Sequence, residues 1–382
     1  MHGGAVKVLV WSDGTLEGGA GRQAAVVAIG LADRGHEVTL AHCTGHDVAL
    51  PSTVAQRTLA VDDLWGSQPG ESPSQAEVSR VLESVPADVV LVNDTCPVAN
   101  LRLKQQLVDR QQPWAAVEHL GDIPPAFNCE SIHQRSGWLL AQAAAVVAVS
   151  AALRAELQAR HRELPVTVIG NGRPDEYFEA VDARQREATR GALGVDDDSF
   201  LVLVVARVEE PKGSLVIARA LEMMSSTPGW PHLRIMWAGD GTQRSRLTAL
   251  ARLRRWEPQL TMLGQQPNVR PLLQAADLLL HPTYSEGMPL AVIEAMAAGL
   301  PVIGSDIAAM REVMGGTGVL VPDPHLDRHA TAAAVSEVLT DLMQRPEQRE
   351  RLGQQGRAYA RDHFRASTMM DRYERVLCDV IS

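Results

Sequence analysis

Two glutamates, Glu286 and Glu294, stand with seven residues between them in the stretch His281 to Asp306, HPTYSEGMPLAVIEAMAAGLPVIGSD. A carboxylate accepts two hydroxyl hydrogen bonds side by side, which suits the vicinal diol of a sugar or a ribose. An apolar run, Asp277 to Leu280, feeds the loop Ser285-Glu286-Gly287-Met288; Pro289 then opens an apolar helix that Gly299-Leu300-Pro301 stops. The first N–H groups of a helix lack internal partners and carry partial positive charge, so this junction is suited to an anion such as phosphate. Gly287 lets a ligand approach the backbone. Glu294 lies roughly 8 Å along the helix from Pro289. Glu286 is therefore expected at a sugar and Glu294 at a ribose. Ala291, Val292, Ile293, Ala295, Met296 and Ala297 surround Glu294, which argues against a solvated helix face. Upstream, Arg207 and Lys212 follow another apolar run, Ser199 to Val205, where two fixed cations would stabilise charge on a departing diphosphate.

These residues need a scaffold that brings loops from distant strands together. Strand candidates recur at Val6 to Trp11, Glu37 to Ala41, Asp88 to Val92, Trp114 to Glu118, Ala145 to Val149 and Val166 to Ile169, with helical segments between, including Gln23 to Asp33. A polar stretch, Asp182 to Asp198, interrupts the pattern, and it restarts at Ser199 to Val205, Leu233 to Trp237, Leu260 to Leu263, Asp277 to Leu280, Pro301 to Ile303 and Val319 to Val321. Short continuous Val/Leu/Ile runs suit parallel sheets covered on both faces. Two doubly wound α/β units follow. Ligands of such sheets gather outside the carboxyl ends of the strands.

The length of 382 residues exceeds what one core usually serves, and 45% hydrophobic with 21% charged residues is an ordinary globular balance. No apolar run reaches the roughly 20 residues that span a bilayer, and Met1 to Val10 is too short for a signal peptide. A cytoplasmic protein with no stable membrane insertion is the expectation. Cys43, Cys96, Cys129 and Cys378 lack zinc-site spacing and are expected to be reduced and buried. Of the net charge of −10, residues 1–181 carry most, with 13 basic against 21 acidic residues. That balance disfavours nucleic acid and anionic lipid, and is compatible with a small cationic or neutral partner.

The Glu286 segment resembles the nucleotide-sugar site of the retaining glycosyltransferases of family 4, glycosyl transferases group 1, whose signature is this glutamate pair in an E-G-hydrophobic-P segment. Ala206 to Gly213 is similar to the family's arginine and lysine loop, Ala238-Gly239-Asp240-Gly241 to its next loop, and Leu263-Gly264 to its base-binding turn. Val168 to Gly172 and Arg34 to Val38 are similar to further landmarks, in the right order. The resemblance implies a GT-B fold: two Rossmann-like doubly wound domains facing across a central cleft. Residues 1–181 would bind acceptor, 182–198 connect, 199–362 bind the nucleotide sugar, and 363–382 form a helix crossing back to the first domain.

As catalytic residues the resemblance implies His119, Arg207, Lys212 and Glu286. It places the donor against Leu263, Gly287, Met288, Pro289, Leu290 and Glu294, with Gly18 and Gly19 at the donor phosphate and the acceptor pocket. His119 is carried over as the family's sugar-binding histidine, though Leu120-Gly121 separates it from Asp122. Gly19-Ala-Gly21-Arg-Gln-Ala24 formally fits a dinucleotide pattern. However, Ser12 to Gly18 intervene after the strand, and the second strand ends in His42-Cys43 without an acidic ribose ligand. Asp13, Asn93, Asp94, Asp122 and Glu130 are acceptor-side candidates, and Trp11, Trp65, Trp114 and Trp138 are expected to pack.

The expected activity is metal-independent transfer, with retention, from a nucleoside diphosphate sugar to a small soluble acceptor, in secondary-metabolite biosynthesis. No metal or other cofactor is expected, since no Asp-x-Asp stands where a divalent ion would sit. A GT-B sugar-nucleotide epimerase and a non-catalytic sugar-nucleotide-binding partner are the alternatives; nucleotide, sugar, acceptor and oligomeric state stay open.

Overall fold

The computed structural model describes residues 4–43, 50–59, 74–121 and 128–382. The chain divides into two units, Met1–Pro174 with Phe364–Ser382, and Asp175–His363. In the first, strands β1 (Lys7–Ser12), β2 (Glu37–Cys43), β3 (Val54–Leu59), β4 (Val89–Asp94), β5 (Trp114–Glu118), β6 (Ala145–Ala148) and β7 (Val166–Val168) form one parallel sheet in the order β3-β2-β1-β4-β5-β6-β7. Its helices are α1 (Gly19–Ala32), α2 (Gln75–Ser84), α3 (Leu101–Asp109), α4 (Glu130–Leu140) and α5 (Ala151–Arg160).

Successive side chains of a strand point to opposite faces, and β1 and β4 use both. Val8, Val10, Val89 and Leu91 pack with α1, while Leu9, Trp11, Val90 and Val92 pack with α2 and α3. That is why these strands read as unbroken apolar runs.

The second unit holds β8 (Phe200–Val205), β9 (Leu233–Ala238), β10 (Leu260–Gly264), β11 (Leu278–His281), β12 (Val302–Ser305) and β13 (Val319–Val321), in the order β10-β9-β8-β11-β12-β13. Helices α6 (Ala183–Ala192), α7 (Ser214–Met224), α8 (Arg244–Arg254), α9 (Arg270–Ala275), α10 (Leu290–Ala297), α11 (Ala308–Met314), α12 (Arg328–Gln344) and α13 (Pro346–His363) surround it. In both sheets the order reverses beside the first strand, at β1/β4 and at β8/β11. Leu278 lies opposite Val202 and Leu279 opposite Leu203, so the loops leaving β8 and β11 start side by side.

The last helix, α14 (Ala366–Ile381), belongs to the first unit and buries Met369, Met370, Tyr373, Val376 and Leu377 in the α1 face of its core. A Cβ on Gly30 would meet the Met370 side chain at 2.7 Å, so this glycine admits the helix. Arg34–Asp371 at 2.9 Å and His36–Glu374 at 3.0 Å fix its register.

The unit boundary falls at residue 174 rather than 181, and residues 182–198 are no free connection. They carry α6, whose Arg186 and Arg190 reach Asp277 at 2.6 and 3.2 Å, tying it to the second sheet. Helix α1 starts at Gly19, earlier than the apolar pattern from Gln23 implies, with Gly18 as its N-cap. Strand β3 was not expected: in Val-Ala-Gln-Arg-Thr-Leu only the two end residues are buried, so this edge strand carries no apolar run. Cys43 and Cys96 are buried, but Cys129 and Cys378 are exposed. Trp11 and Trp114 pack inside, whereas Trp138 is half exposed, and Trp65 lies outside the described residues. Among the described residues, no helix is long and apolar enough to cross a membrane.

Candidate donor site

The β8 and β11 loops meet through side chains. Lys212 ends a short 3₁₀ turn, Glu210–Lys212, after β8, and its Nζ donates to Glu286 Oε1 at 2.6 Å and to the Ser285 carbonyl at 3.3 Å. The next residue, Gly213, has φ +78°, and a Cβ there would lie 2.2 Å from the Pro282 carbonyl oxygen; only glycine permits this approach. Thr283 Oγ1 lies 3.0 Å from the Pro211 carbonyl, and the Tyr284 N–H donates to the same oxygen at 2.9 Å, stitching the loops together.

Lys212 and Glu286 side chains are 14% and 11% exposed, low enough for strong pairing yet open to a ligand. Burial alone would raise the Glu286 pKa, but the Lys212 ammonium and the His281 hydrogen bond overcome it and hold the carboxyl at about 2. Two of the three Lys212 donors serve Glu286 and Ser285, which leaves one for an anion.

Beyond Glu286, the residues Gly287, Met288, Pro289 and Leu290 are buried and lead into α10, whose N-cap Pro289 makes no side-chain cap bond. The first helical return is Ile293 N–H to the Pro289 carbonyl at 3.3 Å, leaving the Leu290, Ala291 and Val292 amides facing the helix entrance. Glu294, 2% exposed, lies within α10. Leu263 is half-buried at a register shift in β10, between Met262 and Gly264. Ala206 is anchored by Trp237 Nε1 at 2.8 Å, but Arg207 just after it turns outward, 65% exposed, and pairs with Glu209 at 2.7 Å. The structure thus brings Lys212 and Glu286 together and leaves Arg207 on a neighbouring pair.

The other sequence candidates belong to the first unit. His119 follows β5 and is 7% exposed; burial lowers its pKa to about 4, so it is neutral at pH 7. Asn93 Nδ2 donates to the Ala20 carbonyl at 3.1 Å, so its Oδ1 accepts from His119 Nε2 at 2.9 Å, and Nε2 carries the proton. Gly18 and Gly19 are exposed at the start of α1, and a Cβ on Gly19 would meet nothing within 4 Å. The constrained glycine of that loop is Gly21, where a Cβ would lie 2.1 Å from the Thr15 carbonyl oxygen.

Asp94 is no direct acceptor contact. It is fully buried, with Lys104 Nζ at 2.5 Å and Asn100 Nδ2 at 2.6 Å. Glu118 lies 3.4 Å from the same lysine. Asp13 is half-buried and accepts from the Thr95 N–H and hydroxyl, each at 2.9 Å. Glu130 is exposed and bonded to Gln134 within α4, and Asp122 lies outside the described residues. Sequence reasoning missed His281 and Lys104. Lys104 had a signal, since its spacing with Leu101 and Leu107 puts it on the buried face of α3.

Two doubly wound sheets, the second with a cation–carboxylate pair at its switch point beside an uncapped helix, define an α/β protein of the GT-B class. Residues 17–177 match the model of Glycosyltransferase Family 4 and residues 185–359 that of Glycosyl transferases group 1, so the chain belongs to this glycosyltransferase family.

Among curated relatives, it is 38% identical to D-inositol 3-phosphate glycosyltransferase of Rhodococcus erythropolis over 146 residues, 36% of this chain and 33% of that one. It is 27% identical to the lipopolysaccharide core biosynthesis mannosyltransferase LpsB of Rhizobium meliloti over 289 residues, 71% of each. For four curated relatives, the Rhodococcus protein among them, the matched part spans only 33% to 51% of the relative's own length. Among solved structures, HepE of Anabaena in complex with UDP and glucose is similar with a TM-score of 0.79 at 19% identity, over 98% of this chain and 99% of that one. Sucrose-phosphate synthase of Thermosynechococcus elongatus is similar with a TM-score of 0.79 at 20% identity, over the same shares. These structural likenesses support the fold.

Proposed function

We propose that this chain is a retaining, metal-independent glycosyltransferase that moves a sugar from a nucleoside diphosphate sugar to a small, soluble, neutral or cationic acceptor in secondary-metabolite biosynthesis. The observation that carries this reading is the Lys212–Glu286 pair, formed by loops from adjacent strands beside the open amides of α10 in a chain of this family. The donor diphosphate would lie against those amides, Lys212 and Arg207, and Glu286 would accept from sugar hydroxyls. Glu294 would hold the ribose and Leu263 the base. His119, as the neutral Nε2–H tautomer, would offer Nδ1 to a sugar hydroxyl.

The bond between the anomeric carbon and the diphosphate oxygen breaks as the acceptor nucleophile bonds to the same face, and the acceptor's proton passes to the leaving phosphate. Lys212 and His281 hold the Glu286 pKa at about 2 against the opposing effect of burial, and a carboxylate of such low basicity is a weak nucleophile for a covalent route. Charge compensation by Lys212, Arg207 and the α10 amides supports a reaction without a metal ion. UDP, bound by HepE, is the first nucleotide to try.

The test measures nucleotide release from a panel of nucleoside diphosphate sugars, with and without acceptors, with the product anomer read by NMR. Acceptor-dependent release, a retained anomer and unchanged rate in EDTA are expected. Altered nucleotide sugar without acceptor would identify an epimerase, and binding without any turnover a non-catalytic partner. A rate lost in EDTA would remove the metal-free part.

A further inference from the structure

Glu286 is held by one oxygen only. Its Oε1 receives Lys212 Nζ at 2.6 Å and His281 Nε2 at 2.9 Å, and Thr283 Oγ1 lies 3.3 Å away. The single Thr283 proton has nearer acceptors in the carbonyls of Pro211 at 3.0 Å and Ser285 at 3.1 Å, so the firm donors to Oε1 are Lys212 and His281. Among the described residues none donates to Oε2, and that oxygen is not sealed from solvent.

The two donors differ in stiffness. Lys212 reaches Glu286 on a flexible four-carbon stem and is the group expected to turn toward an incoming anion. His281 is the last residue of β11, 4% exposed, with its backbone paired in register to Gly304 of β12. Its ring has two torsions, both confined by burial.

We propose that His281 is the positioning residue of this site: its Nε2–H holds Oε1 of Glu286, so that Oε2 stays aimed at the ligand as a hydroxyl acceptor when Lys212 moves to the diphosphate. This rests on reading Glu286 as a ligand-facing carboxylate. Since Glu286 is ionised, the shared proton belongs to the imidazole, and the ring is fixed with its proton on Nε2.

The test compares His281→Phe, which removes the donor, with His281→Gln, whose side-chain amide reaches the same position. Steady-state kinetics with the nucleoside diphosphate sugar turned over by the wild type are run across pH, and UDP binding is measured separately. His281→Phe should lower kcat about 10- to 100-fold, as expected for a misaimed contact, and move the acid limb of the kcat/KM profile to higher pH. UDP affinity should stay within about twofold, because the α10 amides and Lys212 are intact, and His281→Gln should restore most of kcat and the acid limb.

Wild-type kcat and acid limb in His281→Phe, or equal impairment of both variants, would overturn the proposal. Nitrogen NMR of the folded wild-type protein, with the His281 signals assigned by their loss in His281→Gln, decides it without any variant activity. A protonated Nε2 is expected, and a protonated Nδ1 with bare Nε2 would overturn it. Absence of sugar transfer by the wild type would sink the proposed reaction and leave the NMR outcome to judge His281.

Discussion

At the scale of single residues, exposure separates two cations that look equivalent in the sequence. Lys212 is nearly enclosed with its carboxylate, so Lys212→Ala leaves Glu286 with one donor fewer in a site of low polarity and should cost up to about 3 kcal/mol of stability. Arg207 is largely exposed, and Arg207→Ala should change stability by less than about 1 kcal/mol. Either variant should lose about a hundredfold or more in turnover, as expected for one preorganised contact to a developing charge. Urea unfolding beside steady-state kinetics checks this, and unaltered turnover in Lys212→Ala would remove the basis of the functional reading. The double variant Lys212→Ala, Glu286→Gln should be more stable than Lys212→Ala alone, because the stranded charge is gone. The sequence places Lys212 and Glu286 at the right strand ends because each follows a short apolar run. It does not announce that they pair with each other, since that depends on which strands are neighbours. Nor does it announce His281, whose role appears only when β11 presents the ring to Glu286.

At the scale of elements, the site depends on a backbone approach that one glycine allows. Gly213 closes the turn carrying Lys212 and touches the Pro282 carbonyl beside His281. Gly213→Ala combines a positive φ with a clash against backbone, and should cost at least about 2 kcal/mol and lower turnover by separating the two loops. Gly19→Ala is the contrast: it opens α1 with empty space around its Cβ position, so it should leave the melting temperature unchanged or slightly raised. A Gly19→Ala protein that is stable but inactive would support the expected ligand contact at that glycine, and full activity would remove it. The inner strands were legible because both of their faces are buried, which leaves a continuous Val/Leu/Ile signature. The same logic explains what was hidden. Strand β3 buries only Val54 and Leu59, and α6 carries so many charges that it reads as a linker until Asp277 is seen to receive Arg186 and Arg190.

At the scale of the whole molecule, the two units should respond differently to pH, and the cause lies in how each handles buried carboxyl groups. The first unit surrounds Lys104 with Asp94 and Glu118, and Asp13 lies close by. Burial, followed by the charge of Asp94, raises the Asp13 pKa to about 7; burial also raises that of Asp94 and takes Glu118 to about 8. An acid whose folded pKa exceeds its unfolded value favours the fold while protonated, so this contribution is full below the unfolded values of 3.8 and 4.5, falls steadily as pH rises, and is fully lost only once pH has passed about 7 for Asp13 and about 8 for Glu118. His119, held at about 4, works the other way, but its effect falls between pH 6.5 and 4. In the second unit Glu286 is depressed to about 2, so its contribution is full above pH 4.5 and is lost only as pH falls toward 2. Raising the pH from 7 to 8.5 should therefore weaken the first unit by about 2 kcal/mol, while the carboxylate of the second contributes unchanged. Urea titrations at the two pH values, each followed by a hydrogen-exchange pulse at one fixed labelling pH and read peptide by peptide, resolve the units separately. The midpoint should fall for peptides of β1, β4 and β5 and hold for those of β8 and β11. Glu118→Gln should remove most of that fall, leaving less than about 1 kcal/mol for Asp13; an equal fall in both units, or one that persists undiminished in Glu118→Gln, would show that the buried acids of the first unit are not its cause.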